Sequence, residues 1–307
     1  MNALSSKRRI TSQIRRLGVL AKAKGYDAAT VVGTALALWC ELDYPALDPA
    51  KLPQSHALSA EQRLRELVAS LRELSFLEAA YWLSSAYAML EEADYRKKLA
   101  MFFTPVSLTE GLLRDLADRG VDFADNTFFD PACGGAAFLV PIAQRMRASL
   151  CSKGLCAKQV LDHFEAHLFG TDLDNNLCEL SKHFLCMTLY FEISETGRVP
   201  DFKVHVADSL IDLTSMLGTI DVVVCNPPYR KVSAQELEPI RFLYEDVIEA
   251  QPNLYGLFIG LCVRLIREGG YVALVTPTSF LSGQNFGQLR TFLLRNTEIE
   301  HIGLVSC

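Results

Sequence analysis

The chain has 307 residues, 50% of them hydrophobic and 21% charged, which supports one large or two modest cores and excludes wholesale disorder. No uninterrupted apolar run reaches the roughly 18–20 residues of a membrane span, and Met1 to Arg9 lack an apolar signal core, so the expectation is a cytoplasmic chain without a membrane partner. A net charge of −6 excludes a basic clamp over the whole surface.

The first part of the chain has helical periodicity. Ile10, Ile14, Leu17 and Ala21 recur at helix spacing, with Gly25 as a stop. This segment is also basic: Lys7, Arg8, Arg9, Arg15, Arg16, Lys22 and Lys24 stand against Asp27, Glu41, Asp43 and Asp48 within residues 1–50. Such a cluster is compatible with an anionic partner, although charge alone describes a solvated helix face equally well. A second apolar helix is expected over 27–41, then a loop marked by Pro45, Pro49 and Pro53. Ser59 with Gln62 resembles a capping box that opens a helix with a stripe of Leu64, Leu67, Val68, Leu71 and Leu74. A further helix is expected from Tyr81 to Lys97.

From about residue 104, short apolar strands alternate with helices. Strands are expected at 127–129, 166–170, 203–206, 220–225, 271–275 and 299–305, and helices at 137–150, 175–190, 253–267 and 285–295. This alternation predicts an α/β fold, a parallel sheet with helices on both faces, preceded by an all-helical region. The expected division is 1–98 and 99–307.

In such sheets ligands bind at the carboxyl ends of the strands. The first strand ends in Asp130-Pro131-Ala132-Cys133-Gly134-Gly135-Ala136-Ala137-Phe138, a small-residue turn that lets backbone approach a ligand closely. The second ends in Gly170-Thr171-Asp172-Leu173-Asp174, where an acid suits ribose hydroxyls. The third ends in Ala207-Asp208-Ser209. One acid at such a place is as good a helix N-cap as a ligand contact; three at successive strand ends point to a ligand.

The fourth strand ends in Asn226-Pro227-Pro228-Tyr229. Neither proline has an N–H, so the turn offers acceptors without donors. The Asn226 side-chain oxygen and a proline carbonyl can accept both hydrogens of a planar NH2 group. That pulls the nitrogen lone pair out of conjugation and makes it nucleophilic, while Tyr229 offers a flat face for a ring. The arrangement suits an amine attacking an electrophilic methyl.

With these residues the chain resembles the adenine-specific DNA amino-methyltransferases. Met101-Phe102-Phe103-Thr104-Pro105 resembles the family's methionine-binding motif and precedes the Asp130 motif, the order of the gamma group. Gln251 to Phe258, Gly269 to Pro277 and Phe286 to Leu294 are similar to the motifs that follow the catalytic one. The pattern is that of type I modification subunits and fused restriction–modification enzymes. The resemblance implies a Rossmann-like fold, S-adenosylmethionine as cofactor and DNA as partner. It implies that Phe103, Thr104 and Pro105, Asp130 and the turn through Ala132, Cys133 and Gly134 hold the methionine end. Asp172 would bind the ribose, Leu173 would pack on the cofactor's adenine, Asp208 would accept from its amine, and Ser209 would belong to the same cofactor site. Asn226 and Pro227 would grip the target amine, Pro228 would complete the catalytic motif, and Tyr229 would stack on a base flipped out of the duplex. Ala136 stands where the family usually has glycine, which implies a crowded cofactor turn. The resemblance also implies that an aromatic and a target-recognition domain follow residue 307, or that a specificity subunit reads the sequence, so that this chain alone binds DNA weakly and without preference.

Other candidates have weaker support. The nine cysteines include no Cys-x-x-Cys pair, so they are expected as packed thiols and not as a zinc site. Cys133 and Cys225 lack the Pro-Cys context of cytosine carbon-5 chemistry. His163 and His167 flank Glu165 in an order that does not match a zinc peptidase, so no metal is expected. Protein-glutamine amide methylation, a non-catalytic scaffold and cytosine amine methylation are the rival functions.

Overall fold

The computed structural model describes residues 3–48, 51–249 and 252–304; Pro49, Gln251 and Val305 to Cys307 lie outside them. Helix α1 (Ala3–Lys24) buries Ile10, Ile14, Leu17 and Ala21 as the spacing predicts. It ends at Gly25, whose φ of +74° suits glycine. Helix α2 (Ala28–Asp43) opens where the Asp27 carboxylate accepts the Thr30 N–H at 2.7 Å, and it is buried on most sides. Helices α3 (Gln62–Arg72), α4 (Phe76–Leu90) and α5 (Ala93–Leu99) complete the helical region.

Two expectations change here. Ser59 does not cap α3: it ends a single turn, His56–Ser59, and its hydroxyl donates back to the His56 carbonyl at 2.9 Å. The helix expected from Tyr81 to Lys97 is two. Ser75 fixes an earlier start by accepting the Glu78 N–H. The break falls at Glu91 and Glu92, two acids at the negative end of a helix dipole, both extended.

Helix α6 (Val106–Asp118), which the sequence reading did not anticipate, leads into the sheet. Its order is β1 (Phe128–Asp130), α7 (Leu139–Ser152), α8 (Ala157–His167), β2 (Leu168–Asp172), α9 (Asn175–Thr188), α10 (Tyr190–Thr196), β3 (Lys203–Val206), β4 (Ile220–Cys225), α11 (Leu254–Leu265), β5 (Ile266–Leu274) and α12 (Gly287–Asn296). The strands are parallel in the order β3-β2-β1-β4-β5. The fifth strand begins five residues earlier than expected, at Ile266. The sixth expected strand is not one: among the described residues, 299–304 has no ladder partner, and Ile299, Ile302 and Leu304 are exposed.

Alternating side chains feed two cores. Phe128, Leu168, Val204, Val222 and Val224 face the helical region, α7 and α9. Phe129, Ile220, Val223 and Cys225 face α11 and α12. The first core is continuous from Ile10 to Val224, so the helical region and the sheet share one apolar interior. The strand order reverses between β1 and β4, which opens a crevice at their carboxyl ends.

The turn after β1 lies against α4. A Cβ on Gly135 would stand 2.1 Å from the Ser84 hydroxyl oxygen and 2.4 Å from its Cβ, so only glycine permits this approach. Gly135→Ala should therefore destabilise the fold by about 1–3 kcal/mol in urea unfolding, the usual range for overpacking. Adding Ser84→Gly should recover part of that loss, despite costing about 0.5 kcal/mol of helix propensity on its own. Strictly additive effects would show that the turn and α4 do not meet in this way.

Candidate active site

The carboxyl ends of the first four strands bring the expected residues to one edge of the sheet. Asp130 is buried, and its carboxylate accepts the Ala132 N–H at 3.0 Å. Burial, reinforced by the nearby Asp172 charge, pushes its pKa up to about 8. The turn then passes through two left-handed residues, Gly134 at φ +50° and Ala136 at φ +63°. The Ala136 methyl is buried in the first core, so alanine here loads the backbone. Cys133 is also buried, with its thiol pushed well up, and its N–H donates to the Thr171 carbonyl at 2.9 Å.

Asp172 is where the first two turns meet. One carboxylate oxygen accepts the Gly134 N–H at 2.9 Å and the other accepts the Asp174 N–H at 2.9 Å. Burial raises this carboxyl to about 6, and the N–H donors oppose the rise. Leu173 stands beside it with 53% of its surface exposed. Asp174 is buried and caps α9 by accepting the Asn176 and Leu177 N–H groups at 2.8 and 3.1 Å.

Asp208 is half-buried and accepts the Leu210 N–H at 3.1 Å, capping a single helical turn; burial raises its pKa. Ser209 is buried. Its hydroxyl donates to the Pro131 carbonyl at 2.6 Å and meets the Thr171 hydroxyl at 2.7 Å, so it ties the first strand-end turn to the second.

Asn226 receives the chain from 102–104. Its side-chain N–H group donates to the Thr104 hydroxyl at 2.9 Å and to the Phe102 carbonyl at 3.5 Å. Thr104 is buried, and the Phe103 ring lies against Gly134 and Gly135. Pro105 opens α6. Pro227 is buried and Pro228 half-buried. The Tyr229 hydroxyl shares its one proton between the Val275 carbonyl at 2.7 Å and the Asn226 side-chain oxygen. Its ring stacks beside Phe102, with centroids 6.4 Å apart and planes at 28°. Tyr255 meets it edge-on at 6.1 Å and stacks on Phe286 at 5.2 Å. Asn253 caps α11 and bridges to Lys231, which holds that helix beside the Asn226 loop.

Thus the structure gathers Phe102 to Thr104, the 130–136 turn, Asp172, Leu173 and the Asn226 loop. Sequence reading missed Ser84, Tyr87 and Tyr95, which reach this edge from the helical region: Ser84 donates to the Gly135 carbonyl at 3.1 Å, and Tyr87 and Tyr95 donate to Asp174 at 2.9 and 3.1 Å. Nothing in their local sequence marks them. His163 and His167 stack on each other along α8, away from this edge; among the described residues no three His, Cys, Asp or Glu side chains form a metal-binding group. An exposed leucine beside two half-buried carboxylates fits an adenosine, whose ring is apolar on its faces and polar at its edges.

Residues 166–305 match the family described as Eco57I restriction-modification methylase. The chain is 33% identical over 135 residues to the type II methyltransferase M.BsuBI of Bacillus subtilis, covering 41% of this chain and 26% of that protein. It is 38% identical over 96 residues to M.TthHB8I of Thermus thermophilus, covering 28% of this chain and 22% of that one. The chain thus spans about a quarter of the length of these curated relatives. Among solved structures, a class I S-adenosylmethionine-dependent methyltransferase from Listeria monocytogenes, described there as putative, shares the fold with a TM-score of 0.52 and 16% identity, over 95% of this chain and 80% of that one. DrdV, solved in complex with DNA, has a TM-score of 0.57 and 16% identity, over 76% of this chain and 26% of that one. The sheet order, the strand-end residues and these matches agree: over residues 166–305 this chain is similar to restriction-modification methylases of the Eco57I family.

Proposed function

We propose that the chain transfers a methyl group from S-adenosylmethionine to the exocyclic amine of adenine in DNA, within a restriction–modification system. The observation that carries this reading is the orientation of Asn226. Its amide N–H group is taken up by two acceptors, the Thr104 hydroxyl and the Phe102 carbonyl. Its oxygen is therefore turned away from them and can accept from a substrate amine, together with the Pro227 carbonyl. Tyr229 now donates to that oxygen, so the arriving base displaces the hydroxyl while the ring stays at the pocket wall. The cofactor, when bound, supplies an electrophilic methyl. Asp172 would hold its ribose, Leu173 and Asp208 its adenine, and Phe103, Thr104, Pro105 and the turn from Asp130 through Gly134 its methionine end. The Asn226 and Pro227 oxygens would accept the amine's hydrogens during attack, and the proton that the methylated amine then gives up would pass to solvent water.

Asn226→Ala should lower turnover on a single-stranded adenine oligonucleotide, where no flipping is required, by about 10²–10³-fold, the usual cost of removing one preorganised polar partner of a transition state. Affinity for S-adenosylmethionine should stay within about twofold. The assay locates labelled methyl at adenine N6; label in protein glutamine, or wild-type turnover in the variant, would contradict the assignment.

Sequence reading of DNA is assigned to a specificity subunit or target-recognition domain. In α1 the bases Lys7, Arg8, Arg15, Arg16 and Lys22 are exposed, and such groups give salt-sensitive phosphate contacts without base information. Residues 1–307 alone should methylate mixed-sequence duplex at low salt slowly and without site preference; rapid methylation at one site would place recognition inside this chain.

The buried acids set a pH dependence. Asp130 and Asp172 have folded pKa values raised to about 8 and about 6, so both favour folding when protonated. That contribution is fully present below about pH 4, the unfolded value, and is lost as pH rises through 6 and then 8. Between pH 6 and 8 the wild type should therefore lose stability, with Asp130 contributing at most about 1.4 kcal/mol per pH unit. Asp130→Asn, which keeps an acceptor for the Ala132 N–H, should flatten the curve. Parallel urea-stability profiles for the two proteins would remove Asp130 as the cause.

A further inference from the structure

The helical region reaches the cofactor edge through one face of α4 and through α5. Ser84 and Tyr87, one turn apart on α4, end on the two different turns that meet at Asp172. The Ser84 hydroxyl donates to the Gly135 carbonyl at 3.1 Å, and the neighbouring Gly134 N–H donates to one Asp172 oxygen at 2.9 Å. The Tyr87 hydroxyl donates to Asp174 at 2.9 Å and accepts from the Asn176 side chain at 3.1 Å. The Asp174 N–H donates to the other Asp172 oxygen at 2.9 Å. Tyr95, from α5, is a second phenol on Asp174 at 3.1 Å.

Two consequences follow from this wiring. Asp174 is only 1% exposed; it takes two backbone N–H groups and two phenol hydroxyls, and no Lys or Arg appears among these partners. A buried carboxylate satisfied in this way has one fixed orientation, and so does the peptide that follows Leu173. Asp172, in turn, has one lone pair on each oxygen committed to backbone held by α4, and its remaining lone pairs have a set direction.

We propose that Ser84, Tyr87 and Tyr95 are positioning residues for the ribose-binding carboxylate, so that the helical region is a working part of the cofactor site. This rests on the methyltransferase reading, because it takes Asp172 as the ribose ligand. A carboxylate accepts a pair of ribose hydroxyls well only when its plane is fixed, and these three hydroxyls fix it from behind. They act through Gly134, Asp174 and Asp172.

The test is calorimetric titration of the full chain, without DNA, with S-adenosylhomocysteine and with its 2′,3′-dideoxy analogue. For the wild type, the dideoxy analogue should bind more weakly. Tyr87→Phe removes one hydroxyl and keeps the ring. It should weaken S-adenosylhomocysteine about five- to twenty-fold and leave the dideoxy analogue within twofold, because the lost orientation matters only to ribose hydroxyls. Tyr95→Phe, at a site 39% exposed where no core void can open, should show the same selectivity with a smaller loss. Ser84→Ala should do so through the other turn. Equal weakening of both ligands would mark a general packing role and overturn the proposal, and so would no weakening in any variant. A wild-type chain that binds neither ligand would overturn the methyltransferase reading itself and the proposal with it.

Discussion

The site depends on two backbone turns held at fixed separation across the ends of β1 and β2, and the Asp172 carboxylate is what spans them. One oxygen takes the N–H of Gly134 and the other takes that of Asp174. Parallel strands fix the distance between the turns: Asp130 is in register with Gly170. The Cys133 N–H to Thr171 carbonyl bond and the Ser209 hydroxyl add cross-links below. The cost is the removal of a carboxylate from water, which N–H donors offset only in part.

The second constraint is the amide of Asn226. An amide can present either its oxygen or its nitrogen to a substrate, and the two orientations differ little in shape. Here the choice is made by a segment more than a hundred residues earlier in the chain, where the Phe102 carbonyl can only accept and the Thr104 hydroxyl, which can also donate, accepts. The carbonyl makes the nitrogen side the favoured one there, which under the proposed function leaves the oxygen for the substrate amine. The link passes between the expected cofactor motif and the expected catalytic motif, so under the proposed function the first motif would also orient the second.

Much of this was legible in the sequence, for identifiable reasons. Strand ends in an alternating pattern carry ligands, so Asp130, Asp172, Asp208 and Asn226 could be placed on one edge from periodicity alone. The helices at 3–24 and 28–43 have clear stops and caps. What failed was local competition: the Ser59 hydroxyl turned back to His56, and two adjacent glutamates broke the helix expected through Lys97. Ser84, Tyr87 and Tyr95 were illegible because their meaning lies in contacts with Gly135 and Asp174, and serine and tyrosine on an apolar helix look like ordinary packing.

Ala136 shows how such a turn tolerates a departure from glycine. A left-handed alanine costs about 1–2 kcal/mol. Its methyl is buried in the first core, which returns about 0.8 kcal/mol, and alanine loses less backbone entropy on folding than glycine by about 0.4–1 kcal/mol. The terms cancel to within about 1 kcal/mol, so stability does not demand glycine here. The Ala136 methyl is 1% exposed and packs in the first core. Gly135, one residue earlier, has no such latitude because Ser84 occupies the space its side chain would need. Two adjacent small residues in one motif thus answer to different constraints, backbone strain at Ala136 and the close approach of α4 at Gly135, and only the second ties the helical region to the site.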